Sequence, residues 1–229
     1  MTYKRSLLLL VGYGFGASLS IFYGLVEKQS LFVTFVGFHV IVCLCIPLLH
    51  GWWDGTLRQS WLRAWGKIER RGTIFGLAFG VLLLAAATGG FWILLQTEGR
   101  ADTIRRILEL WGLNSRWVWW FSLYLVVVNS LLEELFWRGF VLQRFLHTLS
   151  RTVAVILTSF FYSLYHLVVS SVLFGLKWGC WITLLVFLVG MVWGWMKGKF
   201  PSVYPTWFSH LLADLGLVIP ILLWIYGAG

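Results

Sequence analysis

Seven apolar segments of the chain are each about as long as the 20 helical residues that cross a lipid bilayer. The predicted spans are Leu7–Val26, Leu31–Leu49, Thr73–Leu95, Trp117–Leu135, Val153–Phe174, Trp178–Met196 and Thr206–Tyr226. Of the 229 residues, 59% are apolar and only 12% are charged, so a water-soluble domain of this size could not cover its apolar surface. The sequence therefore predicts an all-α, polytopic transmembrane helical bundle, with residues 1–229 forming a single integral membrane domain.

Basic residues in the connections between spans predict the orientation. Eleven lysines and arginines fall on the side of the N-terminus and six on the other side. Because such residues are enriched in cytoplasmic loops, we expect the N-terminus in the cytoplasm and the C-terminus outside. The net charge of +9 is spread over these connections rather than gathered in one patch, so we expect the lipid bilayer, and not a nucleic acid, as a partner.

Two connections have the pattern of amphipathic helices. In Leu57–Arg71 the residues Trp61, Leu62, Trp65 and Ile68 share one helical face, and the basic residues lie elsewhere. This pattern favours a helix on the anionic cytoplasmic leaflet. A similar apolar stripe is formed on the other side by Ile104, Ile107, Leu108 and Trp111.

Ionisable residues inside the spans are costly and point to function. They occur in three groups: Glu133, Glu134 and Arg138; His166; and His210 with Asp214. The other four spans carry nothing comparable except His39. Counted along the helices from the nearest cytoplasmic basic residues, the three groups reach similar depths. We therefore expect them to line one polar cavity in the cytoplasmic half of the bundle.

The adjacent glutamates are expected to differ in environment, because neighbouring residues point about 100° apart around a helix. Glu134 and Arg138 are spaced i,i+4, which favours a salt bridge. Glu133 has no cation at that spacing. Two carboxylates in different environments can play two chemical roles.

Several chemistries are compatible with this inventory of side chains. A glutamate and a histidine can activate water while other groups stabilise an oxyanion. The two histidines and the carboxylates could instead bind a divalent metal, although no HExxH motif is present. A proton-coupled transporter also uses such groups, although we find no repeated halves. Ser130, Ser163 and Ser209 are alternative nucleophiles.

Three motifs follow one another, one on each helix: Glu133-Glu134-x-x-x-Arg138, then His166, then His210-x-x-x-Asp214. This ordered set resembles the CAAX protease and bacteriocin-processing (Abi) family of glutamic-type intramembrane proteases, which includes the CAAX prenyl endopeptidases. The resemblance covers about residues 123–217, within a motif-bearing core at about residues 117–226.

The resemblance implies roles for the residues of these motifs. Glu133 would be the base that activates water, His166 would help to hold that water, and His210 would contact the oxyanion. Glu134 and Arg138 would support the site from behind. Two positions depart from the family pattern, since Tyr162 replaces the usual phenylalanine and Asp214 replaces the frequent asparagine. An aspartate can donate to an oxyanion only when it is protonated; otherwise Asp214 would orient His210 or a metal.

The resemblance thus implies an intramembrane endopeptidase that cleaves near the C-terminus of a membrane-associated protein or peptide, in the plasma membrane of a prokaryote. No cofactor is expected; a divalent metal is possible but not favoured. The alternatives are a non-catalytic membrane scaffold, such as a bacteriocin-immunity protein, and the proton-coupled transporter.

Overall fold

A computed structural model describes residues 3–227, with side chains from residue 7 onward. The side chains of Lys4 and Arg5, which contribute to the predicted orientation, lie outside the described part. Within residues 3–227 every regular element is a helix. The helices are α1 (residues 3–27), α2 (Leu31–Trp53), α3 (Leu57–Trp65), α4 (Arg70–Glu98), α5 (Ala101–Leu110), α6 (residues 118–145), α7 (Arg151–Phe174), α8 (Leu176–Lys199) and α9 (Tyr204–Ile225). The all-α helical bundle is therefore confirmed.

Six described helices are long and apolar enough to cross a membrane, namely α1, α2, α4, α7, α8 and α9. They coincide with six of the seven predicted spans. The other predicted span, Trp117–Leu135, is the first part of α6, which continues to Phe145. The predicted span stopped at Leu135, between Glu134 and Arg138, but these two residues are buried and paired with each other. The helix therefore continues through them.

The predicted surface helix Leu57–Arg71 is shorter than expected. Helix α3 ends at Trp65 because Gly66 has a φ of +62°, and Arg70 already belongs to α4. A side chain at Gly66 would also meet the carbonyl oxygen of Pro201 at 2.1 Å. The residue of α3 that is buried is Ala64, whereas Leu62 of the predicted apolar face is 60% exposed.

The second predicted amphipathic stripe forms α5. Ile104, Leu108 and Trp111 are buried against the rest of the bundle, so this stripe faces protein. Its apolar residues thus complete the core at the end of the bundle away from α3.

Close helix pairing holds the site-bearing helices in place. Helix α9 packs along α4, and α8 packs along α7. The contact between α4 and α9 depends on glycine, since a Cβ at Gly76 would lie 2.2 Å from the carbonyl oxygen of Pro205. Because the lipid is as apolar as the protein interior, the hydrophobic effect does not drive helices together within a bilayer. Close packing of this kind therefore stabilises their association.

Candidate active site

Helix α6 provides the central side chains. Asn129, Glu133, Glu134 and Arg138 are all buried. They lie on one regular stretch, Ser130–Glu134, and on the wider π-helical turns that flank it, Tyr124–Asn129 and Leu135–Val141. Such turns are frequent at functional sites because they redirect side chains away from the regular helical positions.

Two side chains, Arg138 and His210, bind the Glu134 carboxylate. Its Oε1 accepts a hydrogen bond from Arg138 Nη1 at 2.8 Å, which is the salt bridge predicted from the i,i+4 spacing. The same oxygen lies 3.0 Å from His210 Nδ1 on α9. Since a carboxylate accepts only, Nδ1 is the donor. Glu134 therefore joins α6 to α9.

Aromatic rings enclose the Arg138 guanidinium. Its carbon lies 4.4 Å from the ring centre of Tyr162 and 4.9 Å from that of Trp193. Arg138 Nε and Nη2 have no hydrogen-bond partner among the described residues. These ring faces stabilise the cation by cation–π interactions, so Glu134 is its ionic partner and the rings are its remaining support.

Glu133 has a different environment, as expected. Its Oε2 accepts a hydrogen bond of 2.6 Å from the hydroxyl of Tyr165 on α7. His210 Nε2 lies 3.9 Å from the same oxygen, which is too far for a direct hydrogen bond. Glu133 thus has a neutral phenol as its hydrogen-bond donor, whereas Glu134 has a guanidinium.

His210 is at the centre of the network. Its Nε2 lies 3.5 Å from Asp214 Oδ1, one helical turn away on α9. Its ring stacks on Trp193 with 4.6 Å between ring centres, and the Trp193 indole donates to Ser209 at 2.9 Å. These contacts fix the ring, so its Nε2 is the atom directed toward Glu133 and Asp214.

His166 lies at the edge of this network. Its Nδ1 is 2.8 Å from the backbone carbonyl oxygen of Tyr162, which can only accept. Nδ1 therefore carries the proton, and Nε2 is left as an acceptor. The His166 ring packs 4.4 Å from the ring of Tyr165. Within the described residues no hydrogen bond or ion pair joins His166 to Glu133 directly.

Four residues of this region were not predicted as site residues: Tyr165, Asn129, His39 and Tyr124. Asn129 precedes Glu133 by one helical turn, and His39 is a histidine inside a span, so both gave a signal in the sequence. Tyr165 and Tyr124 gave none, because one tyrosine among many aromatic residues is not distinctive.

Two adjoining cavities lie beside the site. One of about 280 Å³ lies between α3 and α6, and polar residues including Gln59, Arg63 and Gln143 line it. An adjoining one is mainly apolar and reaches Leu132 and Leu135, which flank the glutamates along the chain. Neither cavity is lined by a catalytic candidate.

Helix α3 is held over these cavities at both ends. Arg144 of α6 donates to Thr56 Oγ1 at 2.7 Å and to the Asp54 carboxylate, both just before α3. Lys197 of α8 donates to the backbone carbonyl oxygen of Ala64 at 2.8 Å. At the second of these ends, a Cβ at Gly139 would lie only 2.8 Å from the Ala64 Cβ. Helix α3 therefore packs directly on α6.

Among the described residues, no group of three or more His, Cys, Asp and Glu side chains is arranged to hold a metal ion. In the site itself, the Nδ1 atom of His210 is already bound to Glu134. The donor set instead forms a network of hydrogen bonds and ion pairs, which suits proton transfer.

Comparison with known families points to the same part of the chain. Residues 115–216 match the family model described as type II CAAX prenyl endopeptidase, Rce1-like. The match includes every predicted site residue: Glu133, Glu134, Arg138, Tyr162, His166, His210 and Asp214. Neither a curated protein nor a solved structure matches the chain.

Proposed function

Because residues 115–216 match the model of the Rce1-like type II CAAX prenyl endopeptidases, we propose that this chain is a glutamic-type intramembrane endopeptidase of the CAAX protease family. It hydrolyses a peptide bond near the C-terminus of a membrane-associated protein or peptide. The observation that carries the proposal is the difference between two adjacent buried carboxylates. Glu134 binds Arg138, whereas among the described residues Glu133 has neutral Tyr165 as its one hydrogen-bond donor. Glu133 is therefore the carboxylate left to take a proton.

The activation of water uses two acceptors. Tyr165 occupies Oε2 of Glu133, so Oε1 is the oxygen that accepts a proton from the water. His166 Nε2 accepts a hydrogen bond from the other O–H of the water, because its Nδ1–H is bound to the Tyr162 carbonyl. The water oxygen then attacks the scissile carbonyl carbon, and Glu133 passes its proton to the leaving amine.

The oxyanion formed in this attack needs a hydrogen-bond donor. His210 Nδ1 donates to Glu134, so the donor to the oxyanion is an N–H at Nε2, and the ring acts in its doubly protonated, cationic form. Asp214 lies 3.5 Å from the same nitrogen and orients it, or donates when protonated. Such preorganised donors contribute the largest part of catalysis in many hydrolases.

The cavities between α3 and α6 support access to this site from the membrane surface. The apolar cavity reaches Leu132 and Leu135, and the polar one continues it toward Arg63 and Arg144. In the proposed orientation, with the N-terminus in the cytoplasm of a prokaryote, both open on the cytoplasmic side. The lipid bilayer and the substrate are the partners, and the scheme gives no role to a metal or other cofactor.

A cleavage assay in liposomes tests the proposal. Lipidated and unlipidated C-terminal peptides are compared for wild type, Glu133→Gln, and the control Glu109→Gln, which alters an exposed glutamate on α5. We expect Glu133→Gln to lower the cleavage rate by about 100-fold to 10,000-fold, the usual loss for a general base. The control should cut normally, and a chelator should not slow wild type.

Other outcomes would favour other functions. If Glu133→Gln cut as fast as wild type, the assignment of the base would be wrong. Peptide flux into liposomes without a cleaved product would favour the transporter. A cellular phenotype that survives Glu133→Gln and His166→Ala would favour the scaffold.

A further inference from the structure

A chain of buried hydrogen bonds leads from the second helix into the site. The hydroxyl of Tyr124 lies 2.8 Å from His39 Nδ1, and His39 Nε2 lies 2.8 Å from Asn129 Oδ1. Asn129 Nδ2 then donates to Asp214 Oδ2 at 3.1 Å. Asp214 reaches His210 through its other oxygen. His39 is thus two hydrogen bonds away from the carboxylate that contacts His210.

The Asp214 carboxylate at one end of this chain determines where each proton lies. A carboxylate at Asp214 accepts, so Asn129 must direct its NH₂ group to it and its Oδ1 to His39. Oδ1 requires an N–H donor, so His39 carries its proton on Nε2. The Nδ1 atom is then an acceptor for the Tyr124 hydroxyl. Every member has one consistent role, and the His39 ring is neutral.

Aromatic packing leaves the His39 ring a single orientation. The ring centres of Phe35 and Phe38 lie 5.2 Å and 5.1 Å from that of His39. Phe38 also packs at 4.9 Å against Tyr165, which binds Glu133. His39 itself is only 2% exposed. Its Nε2–H is therefore a fixed donor aimed at Asn129.

We propose that His39 is a positioning residue for hydrolysis, a role that rests on the proposed function. It fixes the orientation of the Asn129 amide. Asp214 Oδ2 then accepts from Asn129, and Asp214 Oδ1 stays beside His210 Nε2. Without the His39 donor, the Asn129 amide is free to rotate and Asp214 loses its defined orientation. His39 lies outside the matched residues 115–216, so its role derives from these contacts alone.

Two replacements of His39 separate positioning from packing. A glutamine amide nitrogen reaches the place of Nε2, so His39→Gln keeps the donor to Asn129. An asparagine amide reaches only the place of Nδ1, so His39→Asn loses that donor. Tyr124→Phe removes the outer hydroxyl alone and gives a milder change if the shorter side chain of His39→Asn impairs folding.

Kinetics in the cleavage assay give the first readout. We expect His39→Asn to lower kcat by about 10-fold to 100-fold, the size of loss seen when a residue that orients a metal ligand by hydrogen bonding is replaced, with KM unchanged. His39→Gln should restore most of kcat, and Tyr124→Phe should lie between them. Equal kcat for the glutamine and asparagine variants, or a change in KM alone, would overturn the proposal.

Nitrogen-15 NMR of the histidine rings gives a readout that does not depend on cleavage. Comparison with His39→Gln, which lacks the His39 signals, assigns that ring in wild type. We expect a proton on Nε2, and we expect the His210 signals to shift in His39→Asn but not in His39→Gln. A proton on His39 Nδ1, or unshifted His210 signals, would overturn the positioning role. Failure of the proposed function would appear separately, as normal cleavage by Glu133→Gln.

Discussion

Replacing Glu134 with glutamine leaves Arg138 as an unpaired cation inside the bundle. Arg138 is 1% exposed, and Glu134 is the carboxylate within salt-bridge distance of it. The glutamine oxygen still accepts one hydrogen bond, from Arg138 or from His210, but it carries no charge. Breaking a buried ion pair by removing one partner costs about 3–5 kcal/mol, so we expect Glu134→Gln to be destabilised by this amount.

The adjacent replacement is a matched comparison. Glu133→Gln retains an oxygen that accepts the Tyr165 hydroxyl and leaves no cation unpaired, so its cost should be that of one weakened hydrogen bond, about 0.5–1.5 kcal/mol. For a chain of this length about 1 kcal/mol shifts Tm by roughly 2–4 °C. The two variants should therefore differ clearly when thermal unfolding in detergent is followed by circular dichroism.

A double replacement identifies the cause of the loss. Glu134→Gln combined with Arg138→Met removes both charges, so no buried cation is left without its partner. We expect the double variant to be more stable than Glu134→Gln alone. The reasoning would be refuted if Glu134→Gln were as stable as Glu133→Gln, or if removing Arg138 destabilised the protein further.

Two further perturbations test the attachment of α3. Gly139→Ala should destabilise the protein by about 1–3 kcal/mol and increase protease cleavage at residues 66–69, because its Cβ would overlap that of Ala64. The control Gly12→Ala has no atom within 4 Å of its Cβ and should match wild type. Equal effects of the two variants would contradict the packing of α3 on α6. Burial raises the pKa of Asp54, but hydrogen bonds from Arg144 and Thr56 outweigh it and lower the pKa below its usual value. The stabilising effect of Asp54 should therefore be complete above its unfolded-state pKa of about 4 and vanish as the pH falls through the lower folded-state pKa. The Tm difference between wild type and Asp54→Asn should accordingly narrow in acid. A Tm difference that stayed constant with pH would show that the Asp54–Arg144 pair does not stabilise the fold.

The fold was largely predictable because a bilayer permits few solutions. Length and apolarity alone locate six spans, and these criteria do not depend on which helices are neighbours. The misplaced boundaries have local causes. The predicted span stopped at Leu135, although burial and pairing of Glu134 and Arg138 let α6 continue to Phe145. Gly66 ended α3 through a positive φ, which hydrophobic periodicity does not reveal.

The candidate site was predictable only where spacing along one helix determines contact. The pairs Glu134–Arg138 and His210–Asp214 follow from i,i+4 geometry, and both are in contact. The bond from Tyr165 to Glu133 and that from Asn129 to Asp214 cross between helices. Such contacts depend on how each helix is rotated about its axis. Aromatic packing between helices determines this rotation, and no periodic pattern in a single sequence reveals it.

The dependence of the site on α2 and α4 limits how the chain can be divided. Phe38 and His39 cover Tyr165 and Asn129 from α2, and Gly76 and Gly80 of α4 lie directly against α9. A fragment of residues 115–216 would lack both covering layers and leave polar groups of the site facing lipid. The three motifs are therefore not a transplantable module. Substitutions in the N-terminal half are constrained by the motifs in the C-terminal half, although no motif marks the N-terminal residues concerned.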